Sequence, residues 1–406
     1  MRGEESAAAE PGFRLIELDA LLDRIETGWS PACDAEPPRS DEWGVIRVSA
    51  VTSGRFDPQE SKRLPAGLPP RPGLEIKAGD LLLARANGAR SLVGAVCYVN
   101  QTRSKLMLSD KTMRLVPNEK VADAAFLALV LASPAVRRQI GVLLNGSSGQ
   151  NNISQEDIRH LLVPEIPLDL QRRIVAAHEA IEARVTVLER VAAKRTAVVE
   201  AAVGSFWQDH VVTMSSLESM CSSLDAGITL SPHRTPRSNP VGYLRVANVR
   251  KGAMDISDIS VLEGEDRDRP RYELRTGDVL VVEGHADPEQ IGRAAVVAAR
   301  EEGLLYQNHL FRLRFSEIIP EFAMLWLNSE RVRTYWRTHC ATSSGLYTIN
   351  RKLLKGVPFP VVNMIEQEKL VGAWRSSKDA VASVNQRIAK LRILQQGLVK
   401  DLLTGG

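Results

Sequence analysis

Two kinds of hydrophobic spacing alternate along this chain. Short runs rich in branched residues, bounded by Gly, Pro, Asn or Asp, predict strands at Gly44 to Val48, Leu81 to Arg85, Val93 to Val99 and Thr112 to Val116. The same pattern returns at Gly242 to Val246, Val279 to Glu283, Ile291 to Val297 and His309 to Phe315. Apolar residues three and four apart then predict helix over Ala124 to Leu144 and over Glu321 to Thr338. Proline-bearing strands, Leu161 to Pro167 and Val357 to Val361, close each set, and a long helix follows each. Ile174, His178, Ile181, Val185, Leu188, Ala192, Arg195, Val199 and Ala202 step alternately by four and three, a heptad seam. Leu370, Trp374, Ser377, Val381, Val384, Ile388, Leu391, Gln395 and Leu398 repeat it. No proline interrupts either seam and charges of both signs cover the outer faces, so each predicts a rod of roughly 50 Å.

The order repeats because the sequence does. Arg47-Val48 recurs as Arg245-Val246, Gly79-Asp80 as Gly277-Asp278 and Gly94 as Gly292, all displaced by 198. After a two-residue shift, Phe126 matches Phe322, Ser133 matches Ser329, Ile153 matches Ile349 and Gln171 matches Gln367 at 196. A unit of that length is a duplicated domain with its connector, not a solenoid repeat. The expected organisation is a loose tail over 1–12, a first mixed domain over 13–167, a central helix over 168–206, a second mixed domain over 207–361 and a last helix over 362–403. The class is α+β. Two helices that each trail a copy of one domain pack most simply on each other, as an antiparallel coiled coil. Ile174, Ile181, Val185, Leu188 and Val199 would face Leu370, Trp374, Val381, Val384, Ile388, Leu391 and Leu398. Such a pairing has the pseudo-two-fold symmetry of a DNA duplex.

Composition narrows the class. With 406 residues, 44% hydrophobic and 25% charged, the chain suits a soluble protein with two cores, and no apolar run approaches the ~20 residues of a membrane span. Cys33, Cys97, Cys221 and Cys340 form no C-x-x-C pair, so a reducing cytoplasm is expected and neither a zinc site nor a disulfide framework is. A net charge of +3 permits nucleic-acid binding without demanding it. A G-x-x-x-x-G-K-[ST] loop, an Asn-Pro-Pro-aromatic element and a glycine-rich strand-to-helix turn are missing, which argues against a motor or a methyltransferase in this chain. Gly79-Asp80 and Gly277-Asp278 fit turns better than catalytic carboxylates. His178 and Arg195 fit register-setting positions on the seam better than ligands. No catalytic residue and no metal site is expected.

What remains are polar loops with basic residues at equivalent places. The first copy offers Ser53, Arg55, Lys62, Arg63, Arg85, Asn87, Arg90, Asn145, Gln150 and Asn151. The second offers His233, Arg234, Arg237, Asn248, Arg250, Lys251, His285, Gln290, Arg293, Tyr347 and Asn350. Arg, Asn and Gln can grip base edges through paired hydrogen bonds, whereas Lys and Ser mainly hold phosphates. One scaffold with two different loop contents suits two readers of different sequences.

Several motifs occur together. Ser-Gly loops lead into Asn152-Ile153-Ser154 and Thr348-Ile349-Asn350, and the exits are Pro164-x-x-Pro167 and Pro358-x-Pro360. The long helices enter through Leu170-Gln171-Arg172-Arg173-Ile174-Val175 and Glu366-Gln367-Glu368-Lys369-Leu370-Val371, and the last helix ends in Gln395-Gln396-Gly397-Leu398-Val399-Lys400-Asp401-Leu402-Leu403-Thr404-Gly405. With them the chain resembles the specificity subunits of type I restriction–modification systems along nearly its whole length. The resemblance implies two target-recognition domains, each reading one half-site of double-stranded DNA, and paired helices acting as a ruler for the spacer. It also implies two adenine-N6 methyltransferase subunits docked on the helices and motor-nuclease subunits that join for cleavage. S-adenosylmethionine, and ATP with magnesium, would then belong to those partners and no cofactor to this chain. Two other classes compete: a stand-alone DNA-modifying or DNA-cleaving enzyme, and a coiled-coil scaffold of a related defence system.

Overall fold

Leu81, Leu82, Leu83 and Ala84 are all fully buried, which is why their run is apolar without alternation. They form an inner strand of an antiparallel sheet whose order is Leu22–Thr27, Thr112–Pro117, Leu81–Ala84, Val96–Tyr98. Leu81 and Leu83 enter a core with Phe126, Leu127 and Val130, while Leu82 and Ala84 join Ile46, Val51, Cys97 and Leu106 on the other face. The second copy repeats this with Ser223–Ala226, Leu310–Arg314, Val279–Val282 and Ala294–Val296. There Val279 and Val281 pack with Phe322, Trp326 and Trp336, and Leu280 and Val282 with Leu244, Val297 and Tyr306. A smaller three-stranded sheet accompanies each: Ser61–Arg63, Gly44–Ile46, Leu106–Met107, and Ser260–Glu263, Pro240–Leu244, Leu305–Tyr306.

The computed structural model describes residues 13–144, 151–209, 213–340 and 347–404. The chain divides into two units, 1–189 with 386–406, and 190–385. Both cuts fall inside long helices at equivalent positions, since 385 minus 189 is 196. Each unit therefore holds one head and a length of each helix.

Each expected mid-domain helix is in fact two. Ala124–Ala132 and Pro134–Leu143 replace the first, Pro320–Leu327 and Glu330–His339 the second. In the first copy the repeated serine causes the break. Ser133 has extended backbone angles, and its Oγ accepts from Val136 N (3.4 Å), capping the next helix. Ser329 caps its helix in the same way, through Val332 N (3.5 Å). Strands Leu15–Glu17 and Met214–Ser216 were not apparent from the pattern; each pairs antiparallel with a proline-bearing exit, Leu162–Pro164 or Pro358–Pro360. No single helix among the described residues is long and apolar enough to cross a membrane; the apolar pair Ala124–Ala132 and Pro134–Leu143 is bent by 70° and contributes to the first core.

The long helices run Leu168–Asp209 and Met364–Thr404. Within the first unit, Glu182 accepts from Arg392 and from Gln395 Nε2 (3.1 Å), and Glu189 lies 3.6 Å from Arg392. Within the second, Val203 and Trp207 share a core with Leu370, Val371 and Trp374. Residue numbers rise along one helix as they fall along the other, so the pair is antiparallel. Ile174, Val185, Leu188 and Leu370 are buried, and Ile181, Val199, Trp374, Val381, Val384, Ile388, Leu391 and Leu398 half-buried. Arg195 and Ala202, placed on the seam by the heptad, are exposed; beyond Val199 the covered positions are Val203, Phe206 and Trp207. A helix of 3.6 residues per turn drifts against a 3.5 repeat, and here the drift reaches one position.

Gln171 and Gln367 join each head to its helix. Both are essentially buried. Gln171 Oε1 accepts from Asp123 N (2.9 Å) while Nε2 donates to Val121 O (2.9 Å) and Ile166 O (2.7 Å). Gln367 accepts from Ile319 N and donates to Val362 O, both at 2.9 Å. The repeated Gly-Asp pairs are turns. Gly79 and Gly277 have φ of +97° and +92°, and Asp80 and Asp278 accept from Lys77 N (2.8 Å) and Arg275 N (2.9 Å).

One surface contact titrates. The ring nitrogens of His160 lie 3.1 Å from the Glu17 and Glu156 carboxylates, which push its pKa above 6.5. A raised histidine pKa means that the tie is complete below pH 6.5 and fades as pH rises through the shifted value. An NMR titration is expected to place the His160 midpoint above 6.5, and Glu17→Gln to bring it down.

Candidate nucleic-acid interface

In each head, two polar loops far apart in sequence are zipped together. Ala86–Asn87 pairs antiparallel with Asn151–Asn152, and Ile153 N donates to Arg85 O (3.1 Å). Asn151 Nδ2 donates to Gly88 O (3.2 Å), Asn87 Oδ1 accepts from Ala89 N (2.9 Å), and Arg90 Nη2 donates to Gly141 O (2.7 Å). The second head builds the same zipper from Gly284–His285 and Tyr347–Thr348, with Ile349 N donating to Glu283 O (2.7 Å) and His285 Nδ1 accepting from Asp287 N (3.0 Å). The scaffold is shared and the side chains are not. Arg85 of the first head corresponds to Glu283 of the second, whose carboxylate bonds His309 (2.8 Å).

The remaining candidates fall into two groups. Lys62, His233, Arg237 and Lys251 are exposed, with no side-chain partner among the described residues, and Arg250 is exposed beside Asp255 (3.4 Å). Ser53 Oγ donates to Arg55 O (2.9 Å), and Arg55 meets Glu182 (2.6 Å) at a groove of about 590 Å³ lined also by Tyr98 and His178. Arg63 is held by Asp34 (3.0 Å) and Glu36 (3.4 Å).

Four candidates serve the fold instead. Arg293 is buried and donates to Val249 O (2.6 Å) and Val246 O (2.9 Å), and also to Gln290 Oε1 (3.2 Å). Asn248 is buried, accepting from Arg245 N (2.8 Å) and donating to Asp255 O and Asp258 O. Arg234 is sunk onto Asp268 (2.5 and 3.1 Å). Asn350 caps the helix Arg351–Lys355 through Leu353 N (2.8 Å). Arg293, Asn248 and Arg234 have their main hydrogen-bonding groups spent inside the fold, so none of the three is open to a base without dismantling a loop; Asn350 is exposed and commits only its Oδ1 to the cap. Asn145 and Gln150 lie outside the described residues. Among the described residues no three His, Cys, Asp or Glu side chains are grouped to hold a metal ion.

No protein-family model matches the chain. It is 35% identical over 170 residues to the EcoEI specificity subunit of Escherichia coli, a type I restriction enzyme; that stretch is 41% of this chain and 28% of the EcoEI subunit. It is 24% identical over 391 residues to the EcoKI specificity subunit of Escherichia coli K12, covering 90% of this chain and 83% of that one. Among solved structures, a chain from a study of complex assembly and conformational transition of the type I R-M system superposes with a TM-score of 0.62 at 18% identity, covering 98% and 99% of the two chains. The HsdS subunit of Thermoanaerobacter tengcongensis superposes with a TM-score of 0.53, also at 18%, over 99% of each. Duplicated heads with an antiparallel helix pair are thus a fold shared with HsdS. In sequence the chain is similar to the specificity subunits of type I restriction enzymes, over a short stretch at 35% identity and over nearly its whole length at 24%.

Proposed function

We propose that this chain reads a bipartite DNA target, one half-site per head, for a cytoplasmic complex with two methyltransferase subunits and motor-nuclease subunits. The observation that carries this reading is the loop zipper, built twice on one scaffold with different side chains. Arg85, Asn87, Arg90, Asn151 and Lys62 are the contacts of the first head, and His233, Arg237, Arg250, Lys251, His285 and Tyr347 those of the second. Arg234, Asn248, Arg293 and Asn350 support them. S-adenosylmethionine, ATP and magnesium belong to the partners, in keeping with the absence of their motifs from this sequence. The paired helices set the spacer between half-sites.

Mapping of methylated adenines in a cell carrying the complete system tests this directly. A bipartite motif is expected. Arg85→Ala or Asn87→Ala should relax one half of it, with each lost base contact lowering discrimination by about 1–3 kcal/mol, and leave the other half sharp. Equal damage to both halves would exclude the modular reading.

A further inference from the structure

The segment Ser231–Asn239 of the second head is exposed almost throughout, yet it is tied down by two acidic side chains from elsewhere in the fold. The Glu263 carboxylate gathers four donors from three consecutive residues: Arg237 N (2.6 Å), Ser238 N (3.1 Å), Ser238 Oγ (2.6 Å) and Asn239 N (3.0 Å). Three successive backbone N–H groups around one anion form a nest, a rigid local geometry. So many donors hold the carboxyl down at about 2, leaving it ionised throughout the physiological range. Further back, buried Asp268 takes Arg234 in two hydrogen bonds (2.5 and 3.1 Å), and Arg234 also donates to Glu263 O (3.1 Å). Pro232, Pro236 and Pro240 restrict the backbone between these anchors.

What the tether presents is basic. Residues 231–239 contain no acid, and the side chains of His233 and Arg237 are exposed without a partner among the described residues. The counterpart in the first head, between Gly28 and Gly44, carries Asp34, Glu36, Asp41 and Glu42 against a single Arg39. It is fastened by the opposite chemistry: Arg103 donates to the carbonyls of Pro38 (3.0 Å), Arg39 (2.6 Å) and Glu42. One loop thus carries only basic charge, and its equivalent carries mainly acidic charge, part of it neutralised by Arg63 on Asp34 and Glu36, so a phosphate backbone favours the first over the second.

We propose that Ser231–Asn239 is a prebuilt reading loop of the second head alone, and that Glu263 and Asp268 are the positioning residues that set it for its half-site. This rests on the DNA-reading function above. Neither acid touches DNA; each holds the main chain that carries His233 and Arg237.

The test is adenine-methylation mapping with the complete complex carrying wild type, Arg237→Ala or Glu263→Gln. Both variants are expected to relax the same half-site, by on the order of tenfold at one or more positions, while the other half-site keeps its wild-type sharpness. Glu263→Gln keeps the size of the side chain but turns an NH2 toward the nest. If it costs the fold, seen as an early melting transition of the full chain, Ser238→Ala removes one donor and takes its place. Both halves remaining sharp in Arg237→Ala would overturn the proposal, as would equal blurring of both halves by Glu263→Gln at an unchanged melting temperature. Failure of the underlying reading looks different: wild type would then yield no bipartite motif.

Discussion

A seven-residue insertion between Glu189 and Arg190, matched by one between Asn385 and Gln386, is expected to lengthen the spacer by about three base pairs and leave both half-sites unchanged. Seven residues add ~10.5 Å to each helix, against ~3.4 Å of rise per base pair. One heptad keeps the phase of the seam to within ~20°, so the apolar stripe still meets its partner. The two sites are equivalent in the repeat and are where the units divide. Inserting in only one helix would put the helix contacts of one unit, Glu182 with Arg392 and Gln395, out of step with those of the other, Val203 and Trp207 with Leu370 and Val371, and is expected to cost assembly. Spacing read from methylated motifs checks the result. A spacer that does not move with the double insertion would remove the ruler from the mechanism.

The largest stability effect is expected from glycines where two segments of backbone touch. A Cβ on Gly227 would sit 2.2 Å from Tyr306 O and 2.5 Å from Gln307 O, and one on Gly28 would sit 2.3 Å from Leu108 C and O. Next to these glycines, Ile228 N donates to Tyr306 O (2.8 Å) and Trp29 N to Leu108 O (3.0 Å), so the approach is fixed by hydrogen bonds and cannot open cheaply. Gly227→Ala should destabilise its unit by roughly 3 kcal/mol, the upper end for overpacking. In a unit of about 200 residues that lowers the melting temperature by roughly 6–12 °C. Calorimetry of the full chain should show one transition displaced in Gly227→Ala and the other in Gly28→Ala. Unmoved transitions would mean that these contacts are looser than the distances imply.

Much of the duplication visible in the sequence has a physical cause in the fold. Gly94 and Gly292 recur because φ is +73° and +67° and a side chain would strike Ile140 or Trp336. Ser133 and Ser329 recur as caps, and Gln171 and Gln367 as clamps. The long helices were legible from heptads and the buried inner strands from their continuous apolar runs. Strand Leu22–Thr27 was not, because Asp23, Arg24 and Glu26 mask the weak signal of Leu22 and Ile25. Nor could the sequence separate Arg293 from Arg237. Both are arginines in polar segments, and the acceptors that saturate Arg293 lie 44 and 47 residues away. The charge contrast between the loops of the two heads lies in the sequence, but its meaning depends on Glu263 and Arg103, each of which anchors a loop from a separate strand or turn.

The glutamine clamps bear on how such a molecule yields under load. An amide that reaches from the first turn of the rod to main-chain groups on the head side of the junction, shielded from water, cannot be pivoted without stranding several polar atoms at once. Compliance needed when the duplex is gripped must then reside past the first turns of the rods or in the exposed tips, so twisting a rod turns its head with it.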